Sequence, residues 1–301
     1  MKNKLCHLAL AFLFSWLSFF SLAQNKTVVF QSDFGLKDGA VSAMKGVATA
    51  VSPELKLYDL THEIPAYNIW EAAYRLAQTV PYWPEGTVFV SVVDPGVGTD
   101  RKSVVLKTRS GHFIVTPDNG TLTLIAESLG IAEVRAIDEA VNRRKASGNS
   151  YTFHGRDVYA YTAARLAAGV ISFEQVGPSL PKTVVTIPYQ KAVLTGSTLK
   201  GNIAILDVQY GNVWTNITDT LFKTINISFG DIVQVKLYHN NKLVYTGDMP
   251  YAQSFGYVAK GKPLAYLNSL MQLSFAINEG DFAKTYHIGS GSEWSAEVKK
   301  K

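Results

Sequence analysis

The chain has 301 residues, of which 47% are hydrophobic and only 18% charged, so it can bury the core of one large or two ordinary domains. This composition excludes extensive disorder. The formal net charge of +5 is spread thinly, apart from residues 299–301, whereas nucleic-acid binding needs a concentrated basic face, so we expect no nucleic-acid partner.

The first 23 residues have the layout of a secretory signal peptide. Lys2 and Lys4 precede an almost wholly apolar stretch, residues 5–22, and Ser21 and Ala23 are small residues at the positions that a signal peptidase reads. We expect cleavage after Ala23, export to the periplasm or the cell exterior, and no stable membrane association of the mature chain. The alternative is an uncleaved membrane anchor, because about 18 residues can just span a bilayer.

From residue 27 to about residue 180, short apolar runs alternate with amphipathic stretches. Buried strands are predicted at residues 27–31, 55–60, 87–93, 103–107 and 113–116. Helices are predicted at residues 40–51, 70–80 and 157–168, and Gly169 is suited to end the last of them. Strands that alternate with helices imply an α/β domain with a largely parallel sheet, which we place at residues 24–181.

The pattern changes after residue 181. Strand-like segments lie at residues 202–208, 232–237, 242–246, 263–267 and 272–278, and Asn240 and Asn241 are placed between two of them as in a hairpin turn. No long helix is predicted in this part. We therefore expect a smaller, mostly β and barrel-like domain at residues 197–301, joined to the first domain by a connection at residues 182–196.

Polar residues gather where the predicted strands of the first domain end. They are Asp33 in QSDFG, Asp59 and His62 in DLTH, Asp94 in VVDPG, Asp118 and Asn119 in PDNG, and His154 and Asp157 in FHGRD. Ligands of parallel α/β domains bind at the carboxyl ends of strands, so five such positions indicate a binding site. Each of them alone is equally well explained as a helix N-cap or a turn residue.

The residue types at these positions argue against a metal or a cofactor. Metal ligation would draw on Asp33, Asp59, His62 and His154, but Arg101 and Arg156 stand beside two of the motifs and would repel a cation. The sequence also lacks the glycine-rich dinucleotide and phosphate motifs, the serine-hydrolase elbow and the zinc-protease helix motif. We expect neither a metal nor a cofactor.

Together, the motifs resemble a known enzyme family. QSDFGLKDG, DLTH, VVDPGVGTDR, PDNG, TFHGRD, GNVWTNI and YLNS follow one another in this order in the S-adenosyl-L-methionine (SAM) hydrolases (adenosine-forming), also called SAM hydroxide adenosyltransferases. These enzymes are relatives of the fluorinase and chlorinase enzymes, which attack the same substrate. The resemblance covers residues 27–278. It implies hydrolysis of SAM to adenosine and L-methionine by in-line attack of an activated water on C5′.

The family's catalytic residues fall on Asp94, Arg101 and His154. The halogenating relatives carry Tyr at the position of Asp94 and Tyr-Ser in place of His154 and Gly155, so the resemblance favours water over halide. Arg101 is always protonated and would hold a developing hydroxide, with Asp94 fixing its guanidinium, while His154 has the pKa that suits a proton acceptor. Two alternatives stay open: bulk water takes the proton, or Asp94 and Arg101 form only a structural salt bridge.

The resemblance also assigns substrate contacts and an assembly. Asp33 matches the ribose-binding residue, Phe255 the adenine-stacking residue, and Asp207, Asn212 and Ser269 match contacts to the methionine part, with Tyr67 and Trp214 as candidate walls. Leu270 replaces an Arg of the halogenases, which leaves the partner of the substrate carboxylate undefined. Members of the family are homotrimers whose active sites lie between the α/β domain of one subunit and the β domain of the next.

Two other functions remain as alternatives. One is halide-dependent adenosyl transfer on the same scaffold. The other is an exported nucleoside-binding protein without catalytic activity, because a signal peptide would send the chain away from SAM, which is a cytosolic metabolite.

Overall fold

The computed structural model describes residues 25–301. The predicted signal peptide and its alternative, a membrane anchor, lie outside the described residues. Within the described part of the chain, no helix combines the length and the apolar character needed to cross a membrane.

The first domain is built on a seven-stranded sheet. Its strands are β1 Thr27–Ser32, β2 Lys56–Thr61, β3 Val88–Val92, β4 Ser103–Thr108, β5 Phe113–Pro117, β6 Ile131–Ala136 and β7 Ser179–Leu180, in the order β2-β1-β3-β5-β4-β6-β7. Strands β2, β1, β3 and β5 pair in parallel, and β4 runs antiparallel to both β5 and β6. Five of the seven strands (β1, β2, β3, β5 and β6) thus share one direction, which confirms the prediction of a largely parallel sheet.

Three details of this sheet differ from the prediction. β4 is reversed because only residues 109–112 connect it to β5, too few for the crossover that a parallel pair requires. β2 is not buried, since it forms the sheet edge, and Tyr58 is 45% exposed. The sequence predicts neither β6, in which Val134 is the only fully buried residue and the apolar pattern is correspondingly weak, nor β7, which has only two residues.

Five helices accompany the sheet. They are α1 Ala40–Val51, α2 Ile69–Thr79, α3 Thr123–Ser128, α4 Glu139–Asn142 and α5 Tyr161–Ala167, the last continuing a turn of π-helix at Gly155–Ala160. α1 has the predicted bounds and buries Val41, Met44 and Ala48. The side chain of Asn68 caps α2 by accepting the backbone N–H of Glu71. The sequence predicts α1, α2 and α5 in outline, but not the short α3 and α4.

The second domain is an antiparallel, nearly closed barrel, as predicted. Its strands are β8 Val193–Thr195, β9 Thr198–Asp207, β10 Asn212–Thr218, β11 Ile232–His239, β12 Lys242–Pro250, β13 Pro263–Leu267, β14 Gln272–Ile277 and β15 Trp294–Lys300, with helices α6 Asp219–Lys223 and α7 Phe282–Tyr286. The order is β12-β11-β15-β9-β10-β14-β13, with β8 paired to β9, and a single parallel bridge joins Tyr251, just after β12, to Ala265 of β13. Asn240 and Asn241 have positive φ angles of 47° and 63°, as a two-residue hairpin turn requires.

The two domains are joined along a seam. The indole Nε1 of Trp70 in α2 donates to the carbonyl of Ala204 in β9 at 2.7 Å. The connection between the sheets runs from Leu180 to Val193, and the backbone N–H of Val185 within it donates to the carboxylate of Asp118 at 2.8 Å. β8 therefore begins inside the predicted connection, and the exact domain boundaries stay a prediction.

Candidate active site

Asp94 lies two residues after the end of β3 and pairs with Arg101. The side chain of Asn119 donates to the carbonyl of Val93 at 2.9 Å and so fixes the end of the strand. The next residues form tight turns, with Gly98 at a φ of 78°, so that the chain returns to place Arg101 against Asp94. Nε and Nη2 of Arg101 donate to the two oxygens of Asp94 at 2.9 and 2.5 Å. This bidentate pair is buried, since the side chains of Arg101 and Asp94 are 11% and 5% exposed.

His154 completes a cluster with this pair. It precedes the π-helical turn, is 4% exposed, and its Nδ1 lies 2.8 Å from Nη2 of Arg101. On the other side of the ring, Nε2 lies 2.8 Å from Nη2 of Arg143. Burial lowers the pKa of His154, and the two guanidinium groups lower it further, although the charges of Glu139 and Asp94 oppose them. The structure thus brings Asp94, Arg101 and His154 together, with the imidazole neutral at neutral pH.

Two buried hydroxyl groups that the sequence does not single out support the cluster. Nη1 of Arg101 donates to Oγ of Ser103 at 3.0 Å, and Ser103 lies 3.2 Å from the phenol oxygen of Tyr159. That phenol in turn donates to Asp94 at 3.4 Å. Burial raises the pKa of Tyr159, so its proton remains available to Asp94. Both residues follow predicted site residues closely in sequence, but a Ser in a strand and a Tyr in a helix carry no signal of their own.

A cavity of about 240 Å³ opens beside this cluster. It is lined by Asp33, Phe34, Ala66, Tyr67, Val92, Asp94, Val97, Thr152, Phe153, His154 and Gly155. One oxygen of Asp33 accepts the backbone N–H of Tyr67 at 2.9 Å, which fixes the carboxylate at the wall. The predicted ribose contact therefore shares a cavity with two of the three predicted catalytic residues, and Tyr67 lines the same cavity.

A second, larger cavity of about 880 Å³ lies on the barrel. Its lining includes Asp207, Asn212, Phe255 and Ser269, the four predicted substrate contacts of the second domain, and also Trp214. Asp207 and Asn212 face each other across β9 and β10, and the Asn212 amide donates to the Asp207 carboxylate at 3.2 Å. This cavity and the smaller one have no lining residue in common. A single chain therefore holds the predicted site as two separate halves.

The remaining strand-end residues have structural partners. The buried His62 ring bridges Ser32 and Asp59 at 2.6 and 3.0 Å. Asp157 is bound by Arg144 at 3.1 Å and Arg156 at 2.7 Å. In residues 25–301, no group of three or more His, Cys, Asp or Glu side chains is placed to hold a metal ion.

Comparison with known proteins identifies the family. The profile of the SAM hydroxide adenosyltransferase N-terminal domain matches residues 28–177, and that of the C-terminal domain matches residues 201–295. The chain is similar to the (R)-S-adenosyl-L-methionine hydrolase of Salinispora tropica, with 33% identity over 90% of this chain and 97% of that protein. It is also similar to the hydrolase of the same name from Methanocaldococcus jannaschii, with 36% identity over 71% of this chain and 74% of that protein.

Two further comparisons extend this result. A fluorinase of an Actinoplanes species is 28% identical over 89% of this chain and 96% of its own length. The crystal structure of an uncharacterised conserved protein from Thermotoga maritima has a TM-score of 0.82 and 35% identity, covering 90% of this chain and 99% of that one. The two profile matches together span most of both domains, and the chain belongs to the SAM hydroxide adenosyltransferase family.

Proposed function

We propose that the protein hydrolyses SAM to adenosine and L-methionine. The observation that carries this proposal is the buried contact of Arg101 with both Asp94 and His154 beside the cavity that holds Asp33. Relatives named (R)-S-adenosyl-L-methionine hydrolase support it, since they share 33–36% identity with the chain. Asp94 also favours water, because the halogenating relatives carry Tyr at its position.

In the proposed reaction the oxygen of a bound water attacks C5′ of the substrate. The O–C5′ bond forms while the C5′–S bond breaks, and its electron pair returns to the sulfonium, which leaves as a neutral thioether. Holding the water in line lowers the barrier through orientation alone. Arg101 would stabilise the developing hydroxide, and the neutral His154 would take the proton, or pass it to solvent.

The substrate itself would be held by both cavities. We propose that Asp33 accepts hydrogen bonds from the ribose hydroxyls and that Phe255 stacks on adenine. Asp207 would pair with the substrate ammonium, with Asn212 and Ser269 beside it. Because the two cavities are separate on one chain, this scheme needs a second subunit, and we propose the homotrimer that the family resemblance implies, with the barrel of one subunit facing the α/β domain of the next.

Halide-dependent adenosyl transfer is the second candidate, favoured by the similarity to the fluorinase. A chromatographic assay of purified protein with SAM, with and without chloride or fluoride, separates the possibilities. We expect adenosine and methionine in equal amounts whether or not halide is present. A halogenated adenosine that requires halide would support the second candidate, and release of no product at all would contradict both and favour the exported nucleoside-binding alternative.

We further propose that the chain acts after export. The basic and apolar pattern of the first 23 residues supports this. Mass spectrometry of the protein purified from its native cells tests it. We expect a mature chain that begins at Gln24, and an intact N-terminus in the membrane fraction would indicate the anchor instead.

A further inference from the structure

Arg143 contacts the side of His154 opposite to Arg101, and two other side chains hold it there. It directly follows α4, and its Nε and Nη2 donate to one oxygen of Glu139 at 3.1 and 2.5 Å. Its guanidinium also lies 4.8 Å from the ring centre of Tyr151. The Arg143 side chain is only 10% exposed. Its position next to Nε2 of His154 is therefore set by an ion pair, an aromatic ring and burial together.

The contact is unusual because both nitrogens of the His154 ring face hydrogen-bond donors. A guanidinium group only donates hydrogen bonds, and a neutral imidazole has one accepting nitrogen. Nδ1 and Nε2 of His154 each face a guanidinium nitrogen at 2.8 Å, so the ring satisfies one donor at a time. A protonated ring would direct an N–H at a guanidinium on both sides.

The charges of Glu139 and Asp94 raise the pKa of His154 and so oppose the two guanidinium groups, but neither carboxylate accepts a hydrogen bond from the ring. The carboxylates of Asp94 and Glu139 are bound to Arg101 and Arg143 rather than to the imidazole. Tyr151 and Tyr159 approach the ring only edge-on, with centroid distances of 6.2 and 6.4 Å. Both nitrogens of the ring are therefore set against the imidazolium form.

We propose that Arg143, held by Glu139, is a positioning residue that keeps His154 unprotonated, so that, when one of the two guanidinium contacts opens, the freed ring nitrogen accepts a proton from the attacking water as the water oxygen bonds to C5′. This inference rests on the proposed hydrolysis and assigns the control of its proton acceptor. It explains why a second arginine lies in a cluster whose carboxylate Asp94 is already paired: it disfavours the protonated, inactive form of the acceptor.

The experiment is an NMR titration of the folded protein labelled in its histidines, with the His154 signal assigned by its loss in His154→Gln. In Arg143→Gln we expect the pKa of His154 to rise, because one of the two cationic donors that oppose protonation is gone. The matched control is Arg144→Gln, which removes the same charge one residue along the chain. Arg144 binds Asp157 instead, so the titration of His154 should stay as in the unmodified protein.

Turnover of SAM gives a second reading. The acidic limb of the pH profile of kcat/KM should move to higher pH in Arg143→Gln, with about a tenfold loss on that limb for each unit by which the pKa rises. Arg143→Lys keeps the charge, so the acidic limb of its profile should lie close to that of the unmodified protein. A purely structural role would lower activity at every pH and leave the profile in place.

An unchanged His154 titration in folded Arg143→Gln overturns the proposal. If that variant does not fold, the unmodified protein decides, because a His154 pKa at or above the ordinary value for histidine is equally incompatible with it. The titration needs no substrate. A shifted titration in a protein that does not cleave SAM would therefore refute the proposed function while leaving the contact intact.

Discussion

Arg101 donates four hydrogen bonds to three side chains, so the loss of one partner also affects how Arg101 holds the other two. Two go to Asp94, one to His154 and one to Ser103. Because Asp94 and Arg101 are both buried, neither charge is compensated by solvent if the other is removed. A substitution at Asp94 therefore has to be read in two ways, as a loss of chemistry and as a loss of a buried ion pair.

Asp94→Asn tests both effects, because it keeps the shape of the side chain and one accepting oxygen but removes its charge. We expect kcat for SAM hydrolysis to fall by about 10²-fold or more, as when a group that stabilises developing charge is lost. Adenosine affinity, measured by calorimetry, should change little. Asp59→Asn, at a half-exposed carboxylate, is the control. Loss of the folded state in Asp94→Asn alone would instead support the structural salt bridge.

Asp33→Ala tests the ribose contact. A hydrogen bond to a charged group contributes about 1.5–3 kcal/mol, so we expect adenosine to bind about 10- to 100-fold more weakly. Isothermal calorimetry of adenosine binding measures this directly, with Glu63→Ala as a control at an exposed carboxylate outside the smaller cavity. Unchanged affinity would remove Asp33 from the substrate site.

For single residues, the sequence predicts the polar site residues that belong to a motif. It does not predict those that reach the site only through the folding of the chain. Asp33, Asp94 and His154 each stand where a strand ends or a helix begins, and they do line one cavity. Arg143 lies in a polar stretch without a motif, 11 residues before its partner His154. Its role depends on the path of residues 143–153, which no local pattern specifies. The same holds for Tyr159, whose apolar surroundings suggest only core.

At the scale of elements, local patterns locate most strands and helices but not their directions. The apolar periodicity of α1 predicts its bounds, because its buried face repeats every three to four residues. The reversal of β4 follows from the length of the turn after it, and the edge position of β2 follows from the order of the sheet. β10 and β15 escape prediction because their polar residues interrupt the apolar pattern, and barrel pairing stabilises them instead.

Two glycines in contrasting elements give a stability prediction. Gly177, before β7, has a φ of 150°, and a Cβ there would overlap the carbonyl oxygen of Ala136. Gly177→Ala should therefore lower the free energy of unfolding by about 1–3 kcal/mol. Gly46 lies inside α1, where an added Cβ would meet no atom within 4 Å. Gly46→Ala should therefore raise the free energy of unfolding by about 0.5–1 kcal/mol. Urea denaturation of both variants measures these changes. Changes of the same sign in the free energy of unfolding would contradict the prediction.

At the scale of the whole molecule, the two separate cavities make the assembly testable. The catalytic half contains Asp94 and the barrel half contains Asp207, and we propose that each working site takes one half from each of two subunits. Asp94→Ala and Asp207→Ala should each be inactive alone. When the two variants are co-expressed, random assembly leaves about one quarter of the sites with both halves intact.

SAM turnover of the co-expressed sample, compared with a mixture of the separately purified variants, measures this restoration. Light scattering on the same samples gives the number of chains in the particle, which we expect to be three. A sample that stays inactive after co-expression, or a monomeric particle, would contradict a site shared between subunits.

The seam between the domains has a further consequence for how the chain meets proteases. Lys182 and Lys191 are exposed, yet the segment that carries them is tied to the first domain through Val185 and Asp118 and through Lys191 and Glu127. A protease must wait for such a segment to detach, so cleavage follows the population of the opened form. The rate at which trypsin cuts at these two lysines thus measures how often this segment detaches from the first domain, and it should fall when a ligand or a neighbouring subunit covers the segment.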